Sequence, residues 1–432
     1  MNLQKTQNLS NVGNISFNGI IDPSTRNFAK KRLLGFNPNR GKKGNQGDPG
    51  IIRDLELYLE PNEDNEEAIK TWINKTFDKK NVWWGNKFEI SQVIFDAAVD
   101  IGYRNWFRGG VLMPNNEILF VPFDRTEIGL FNMNTKTFTD GPTHGHGTGA
   151  FSGGVSLPDK RVFMIPYNSP AISMYNPSTG TIVNTIGHGE VTTPHYDGGV
   201  LLPNGLVCMV PARAGHVGIF NSTLNIYIAG PLITTTATGN LFSGGVLLPN
   251  GQVLLVPFNN THVGYYDPDT NSYIEGGQVP TEISSGLGHF VGGCLGRDGL
   301  VYLTPFNAEK IGIYNPSNNT WIVANDVPVV NDITTEKYAG SVLSKTGEIL
   351  LIPYNVDGYI LYDPETDTYN VKGDGKGNDG SRNGNGHYGA LLTEDGTICV
   401  IPHSVNYINF YDNNDNNLVD PNTAYSPLFN KL

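Results

Sequence analysis

The chain has 432 residues and a net charge of −12; 38% of its residues are hydrophobic, 16% are charged, and it holds 52 glycines and 27 prolines. That balance excludes a disordered or mainly helical chain and suits a turn-rich all-β protein. No apolar run approaches the roughly 18 residues of a membrane-spanning helix, and the polar, Asn-rich N-terminus carries no apolar core of a signal peptide.

Charge is divided unevenly. Residues 1–43 sum to +7 and the remainder to −19, so residues 1–50 read as an extended basic arm suited to docking on something acidic. The anchoring candidates are Lys30, Lys31, Arg32, Arg40, Lys42 and Lys43. The arm has few aromatics for base stacking, which argues against nucleic acid. Gly41, Gly44, Gly47 and Gly50 fall at every third residue, the spacing a three-chain axis requires and therefore one that admits a homotrimer. Residues 51–102 read as a small α+β segment. Leu55, Leu57 and Leu59 alternate as in a half-buried strand, Glu63–Lys80 carries the helical stripe Ile69, Trp72, Ile73 and Phe77, and residues 88–95 form a second strand candidate.

From residue 103 to the C-terminus one phrase recurs seven times: an aromatic, a small-residue pair, an apolar run, a tight turn, a second apolar run and a proline. The fourth copy, Phe242-Ser-Gly-Gly-Val-Leu-Leu-Pro-Asn-Gly251 followed by Val253-Leu-Leu-Val-Pro257, is the cleanest. The small pairs begin at Gly109, Gly153, Gly198, Gly244, Gly292, Gly340 and Gly389, at steps of 44 to 49 residues. That period, with several strands per unit, predicts a seven-bladed β-propeller of four-stranded blades. Within each unit the Asn-Gly or Asp-Gly turn joins strands 1 and 2. Strand 2 should end at its proline, which has no amide to give the ladder. Strand 3 should end in an Asx turn such as Asn315-Pro or Asp363-Pro. The glycine pairs are expected on the innermost strands, where backbones converge on the axis.

Ile313-Tyr-Asn-Pro-Ser-Asn-Asn-Thr-Trp321 matches the Tyr-to-Trp spacing of kelch repeats, and the unit resembles a kelch-type blade over residues 103–415. It departs where kelch repeats end strand 2 in a glycine doublet, because Pro-Phe-Asn or Pro-Tyr-Asn stands there instead. The resemblance implies the fold and little about activity. No Tyr/Cys/His set aligns with the copper oxidases among kelch-like propellers, so no cofactor and no metal is expected.

The loops after strands 2 and 4 share one face and differ in every copy, so this upper face is the expected recognition surface. Its binding candidates are Tyr167, Arg213, Phe258, Phe306 and Tyr354, with His146, His195, His289 and His387, which with His144 are expected to ring the channel mouth. Such histidines suit metal or acid–base chemistry or simple carbonyl bonding; His216 and His262 read as repeat features. Asp197, Glu190, Glu282 and Glu336 are scattered over different loops and give no catalytic pair. Residues 373–380 have the composition of a calcium or phosphate loop without its ligand spacing and read as a flexible connection. The fourth strand of the last copy is poor, so residues 88–95 are expected to pair in blade 7 and close the ring.

The basic arm, the glycine triplets and the β-rich head together resemble phage or large-virus fibre and decoration proteins. The resemblance implies a non-enzymatic virion structural or attachment protein, partnered by other virion proteins through its arm and by a host-surface glycan or protein through its head. The alternatives are a kelch-like intracellular protein- or carbohydrate-binding propeller, and a hydrolase or lyase with its site at the channel mouth.

Overall fold

A computed structural model describes residues 106–412 apart from 115, 331, 357, 373–385 and 406, together with the short strands Asn2–Gln4, Ser16–Asn18 and Val99–Asp100. Two compact units divide the chain, the first built around Met1–Gln92 and the second around Val93–Asn413. In the first, Asn2–Gln4 pairs antiparallel with Ser16–Asn18. The arm's basic residues, the glycine triplets, the helix expected over 63–80 and residues 373–380 all lie outside the described residues.

The second unit is a seven-bladed β-propeller with four antiparallel strands in each blade. The first strands of blades 1 to 7 are Phe107–Met113, Phe151–Ser156, Tyr196–Leu201, Phe242–Leu247, Phe290–Leu295, Tyr338–Leu343 and His387–Leu392. Each is an edge strand that meets the first strand of the next blade, which makes these seven the innermost. Every second strand ends on its proline, from Pro122 to Pro402, and that proline sits opposite the inner-strand aromatic, as in Phe107↔Pro122 and Phe242↔Pro257. The Asx turns form as the sequence implies. Asn315 Oδ1 accepts the amide of Ser317 at 3.0 Å, and Asp363 Oδ1 that of Glu365 at 2.9 Å.

Seven apolar clusters hold the ring together, each shared by two consecutive blades. Val155, Phe163 and Ile165 of blade 2 pack with Tyr196, Met209 and Phe220 of blade 3. Ile401 and Phe410 of blade 7 pack with Phe107, Phe120 and Phe131 of blade 1. Faces that pack on both sides explain why the second strands are fully buried runs rather than alternating ones.

The glycine pair has two separate causes, and neither is simple convergence on the axis. In each blade the register slips between the aromatic and the second small residue, a β-bulge, and the first glycine takes the positive φ that this bulge needs, +80° at Gly198. The second glycine makes room for the preceding blade: a Cβ on Gly199 would lie 2.5 Å from Ile165 Cδ1 and 2.9 Å from the Cys208 oxygen.

Ring closure comes from upstream of blade 1, as expected, but through a different segment. Val99–Asp100 pairs antiparallel with Tyr407–Asp412, in the register Val99↔Ile408 and Asp100↔Tyr407. The fourth place in blade 7 is therefore taken by two residues of mixed character. Residues 88–95, the more strand-like stretch, lie outside the described residues.

Candidate functional site

The blade repeat places seven residues at each level of the axis, so a position that varies between copies becomes a ring of different side chains. Between the inner-strand aromatic and the bulge glycine stand Arg108, Ser152, Asp197, Ser243, Val291, Ala339 and Tyr388. Immediately after the strand-2 proline stand Phe123, Tyr167, Ala212, Phe258, Phe306, Tyr354 and His403. The second set opens the loops that share a face with the 4–1 connections and forms a collar above the first.

The collar is fixed by its main chain. In six blades its carbonyl accepts the amide that precedes the next blade's aromatic: His195 N to Tyr167 O at 2.6 Å, His289 N to Phe258 O at 2.8 Å, Gly386 N to Tyr354 O at 2.7 Å. The same pattern recurs at Ala150, Leu241 and Lys337. Between blades 7 and 1 a side chain makes the seam bond, with His403 Nδ1 lying 3.0 Å from the Phe107 oxygen.

Collar rings touch one another around most of the circumference. Centroid separations are 5.4 Å for Phe123–Tyr167, 5.7 Å for Phe258–Phe306, 5.6 Å for Phe306–Tyr354, 5.9 Å for Tyr354–His403 and 5.8 Å for Phe123–His403. The break is at blade 3, where Ala212 is too small to bridge its neighbours.

Beneath the collar the inner ring is polar on one side and apolar on the other. The Asp197 carboxylate, buried, accepts Ser152 Oγ at 2.6 Å on one oxygen and Ser243 Oγ at 2.7 Å on the other. Opposite, Val291, Ala339 and Tyr388 join Phe306 in an apolar cluster, with Phe258 and Tyr354 against it. Burial holds the Tyr388 phenol well above its ordinary pKa, and its ring lies 5.9 Å from Tyr354 and 5.8 Å from His403 of the collar. Tyr388 therefore packs under the collar beside Arg108 and forms its floor.

Arg108 rests on that floor. Its guanidinium carbon lies 3.7 Å from the Phe123 ring centroid, 4.6 Å from that of Tyr388 and 5.5 Å from that of Tyr167. Cations sit favourably on aromatic faces in this way. Its Nε is buried and has no hydrogen-bond partner, and the side chain as a whole remains half-buried. Burial opposes the charge, but Tyr388, Tyr167 and Asp197 outweigh it and hold Arg108 above its usual pKa. The Tyr167 and Tyr354 phenols are pushed up by burial and stay protonated, while Arg108 pulls each in the opposite direction. His403 is pushed down to about 3, first by burial and then by the Arg108 charge, so it is neutral at physiological pH. The arrangement can bind an anion and flat apolar groups together.

The sequence-derived candidates divide between this collar and other places. Tyr167, Phe258, Phe306 and Tyr354 are collar residues. Arg213 is exposed beside the blade-3 gap, with Nε 2.9 Å from Asn240 Oδ1. The histidines make contacts away from the collar. His387 fills the inner-strand aromatic position of blade 7, with its ring centroid 5.9 Å from Tyr359, and burial lowers it to about 3. His195 is buried against its own 4–1 connection, Nδ1 3.1 Å from the Thr192 oxygen, and is lowered to about 4 by burial and by His188. His289 bonds Ser284 Oγ at 2.7 Å. His146 bonds Ser173 Oγ at 3.1 Å and stacks on His144.

Two residues of the inner ring beneath the collar, Arg108 and Asp197, carry a sequence signal that the repeat makes readable. They are the only charged residues at their position in the seven copies. A second polar group lies at the blade 2–3 seam, where Glu190 Oε1 accepts Tyr196 and Tyr227 hydroxyls at 3.3 and 3.2 Å and lies 3.8 Å from His216 Nδ1. On the opposite face, Leu112, Met113, Pro114, Asn116, Asn134 and Glu394 line a concavity with one ionisable side chain. Among the described residues no three His, Cys, Asp or Glu side chains converge as metal ligands would.

No family model matches the chain, and no curated protein matches it in sequence. Solved structures do. A catalytically inactive histidine-to-alanine variant of virginiamycin B lyase from Staphylococcus aureus with quinupristin aligns at TM-score 0.60 and 12% identity, over 73% of this chain and 99% of that one. The extracellular domain of a putative one-component system from B. thetaiotaomicron aligns at 0.57 and 13%, over 74% and 40%. A fungal alcohol oxidase in complex with copper aligns at 0.56 and 14%, over 74% and 76%. At these identities the likeness shows the fold alone.

Proposed function

We propose that this protein is a ligand-binding propeller whose site is the funnel formed by the aromatic collar and the Arg108–Tyr388 floor, and that it binds without transforming its ligand. The observation that carries this reading is the half-buried Arg108 guanidinium, laid on aromatic faces beneath the collar with no carboxylate within 4.0 Å of it among the described residues. A half-buried cation without an ion-pair partner is matched by an incoming anion. Supporting binding over turnover, four groups of the site are held far from neutrality, His403 at about 3 and the Tyr167, Tyr354 and Tyr388 phenols above their ordinary range. General acid–base catalysis is most efficient with a pKa near the working pH.

Similar folds carry a lyase, an oxidase and the extracellular domain of a putative one-component system, so the fold itself is neutral between these roles. The kelch-type likeness rests on the Tyr314-to-Trp321 spacing, and nothing in the fold or its neighbours supports display on a virus particle. Crystals soaked with a fragment library test the proposal. Hits should gather on Phe258, Phe306, Tyr354 and Arg108, and Arg108→Gln should remove the anionic hits while sparing the neutral ones. Hits that cluster elsewhere, at Glu190 for example, would displace the site.

A further inference from the structure

We infer that the funnel selects a monocarboxylate with a flat apolar body over phosphate dianions and over sugars. The inference rests on the binding reading above and adds the chemical class.

Charge sets the first limit. Arg108 is the only cationic side chain of the collar and the inner ring, and Asp197 is the only anionic one. No ion pair of 4.0 Å or less joins them among the described residues, yet the charge on Asp197 is felt at Arg108, Tyr167 and Tyr388. A ligand on Arg108 therefore meets one favourable and one unfavourable charge. A single negative charge lodged against the guanidinium gains from the nearer of the two. A second would meet Asp197 with no second cation to offset it, in surroundings where screening by water is weak.

Donor geometry sets the second limit. The planar guanidinium presents N–H groups in a fork that fits a carboxylate with two oxygens in one plane. Tyr167 and Tyr354, protonated beside it, add hydroxyl donors.

The wall sets the third. From blade 4 to blade 6 the surface facing Arg108 is Phe258, Phe306 and Tyr354 over Val291 and Ala339. Only the Tyr354 hydroxyl is polar among these side chains. A sugar would leave its hydroxyls without partners against such a wall, at a cost for each group stripped of water. A flat apolar body replaces water there without that loss.

Calorimetry with benzoate, phenyl phosphate and phenyl β-glucoside at pH 8 tests the class, because phenyl phosphate is a dianion there. Benzoate should bind at least tenfold more tightly than phenyl phosphate, and the glucoside should give no measurable heat. Arg108→Gln should weaken benzoate at least tenfold, and Asp197→Asn should narrow the gap between benzoate and phenyl phosphate. Phenyl phosphate or the glucoside binding as well as benzoate, with the effect of Arg108→Gln retained, would overturn the class and leave the site standing. No probe binding, or benzoate indifferent to Arg108→Gln, would remove the site and the class together. Should the variants fail to fold, crystals of the unaltered protein soaked in 4-iodobenzoate decide. Anomalous iodine signal over Phe258 and Phe306 with the carboxylate on Arg108 supports the inference, and iodine elsewhere ends it.

Discussion

His403 Nδ1 lies 3.0 Å from the main-chain oxygen of Phe107, a residue 296 positions earlier, and so ties the last blade to the first. The same imidazole packs edge-on against Trp106 at 5.0 Å and lies 5.8 Å from Phe123. His403→Ala removes both the bond and the packing. The expected loss is about 3 kcal/mol, from a truncated core ring and a carbonyl left without its partner. Urea unfolding measures the total. Hydrogen exchange should accelerate first in blades 1 and 7; a uniform rise over all blades would deny the seam its special part.

Three buried histidines make the fold sensitive to acid. His195 is held at about 4, and His387 and His403 at about 3, in each case chiefly by burial. Unfolded histidine titrates near 6.5. Lowered folded values mean that the unfolded chain binds more protons below that point. Stability is therefore full above pH 6.5 and falls as pH drops toward 4, by about 1.4 kcal/mol per unit for each histidine. The other six blades carry Phe or Tyr where His387 stands. His387→Phe should fold and should flatten the profile of denaturation midpoint against pH between 6 and 4. An unchanged slope would contradict the assignment.

Gly199→Ala should cost about 1–3 kcal/mol, because its Cβ would fall 2.5 Å from Ile165 Cδ1 and 2.9 Å from the Cys208 oxygen, and the oxygen belongs to rigid backbone. Blade 7 holds Ala390 at the equivalent place. Ala390→Gly should therefore cost only about 1 kcal/mol, the conformational term. Thermal melts of the two variants side by side check the asymmetry.

Cys208 and Cys399 are fully buried and burial raises both thiols; Cys294 is nearly as enclosed. Thiolate is the reactive form. Native protein at pH 8 should leave Ellman's reagent uncoloured over an hour, and denatured protein should release three equivalents. Rapid labelling of the native protein would show that blades open locally.

Val99→Pro should weaken the closing ladder, since proline has no amide to offer Tyr407–Asp412. Limited proteolysis should then cut first within blade 7. Cleavage unchanged from the unaltered protein would show that two residue pairs contribute little to closure.

The blade count, the inner position of the glycine pairs, the proline stops and the Asx turns were all legible in the sequence, because each is a local rule repeated seven times and repetition averages out accident. What escaped was set between copies. Arg108 and Asp197 depart from the repeat at a position where nothing local marks them as inward-facing. The roles of His195 and His387 depend on one residue of phase: His387 falls on the aromatic position and His195 just before it, so two histidines that look alike in the sequence enter different surroundings. The closing strand Val99–Asp100 is too short to show any alternation, whereas residues 88–95 have the apolar pattern that draws the eye. The second glycine's need for space came from Ile165 in the preceding blade, which the strand's own sequence does not reveal.

Six of the seven collar positions are fastened to the following blade by amide and carbonyl groups, which every residue possesses. Identity at those sites is consequently uncoupled from architecture: an Ala and a Tyr serve the scaffold equally, as Ala212 and Tyr167 already do. Specificity at the mouth can drift, or be redesigned one residue at a time, without the barrel of blades having to be solved afresh.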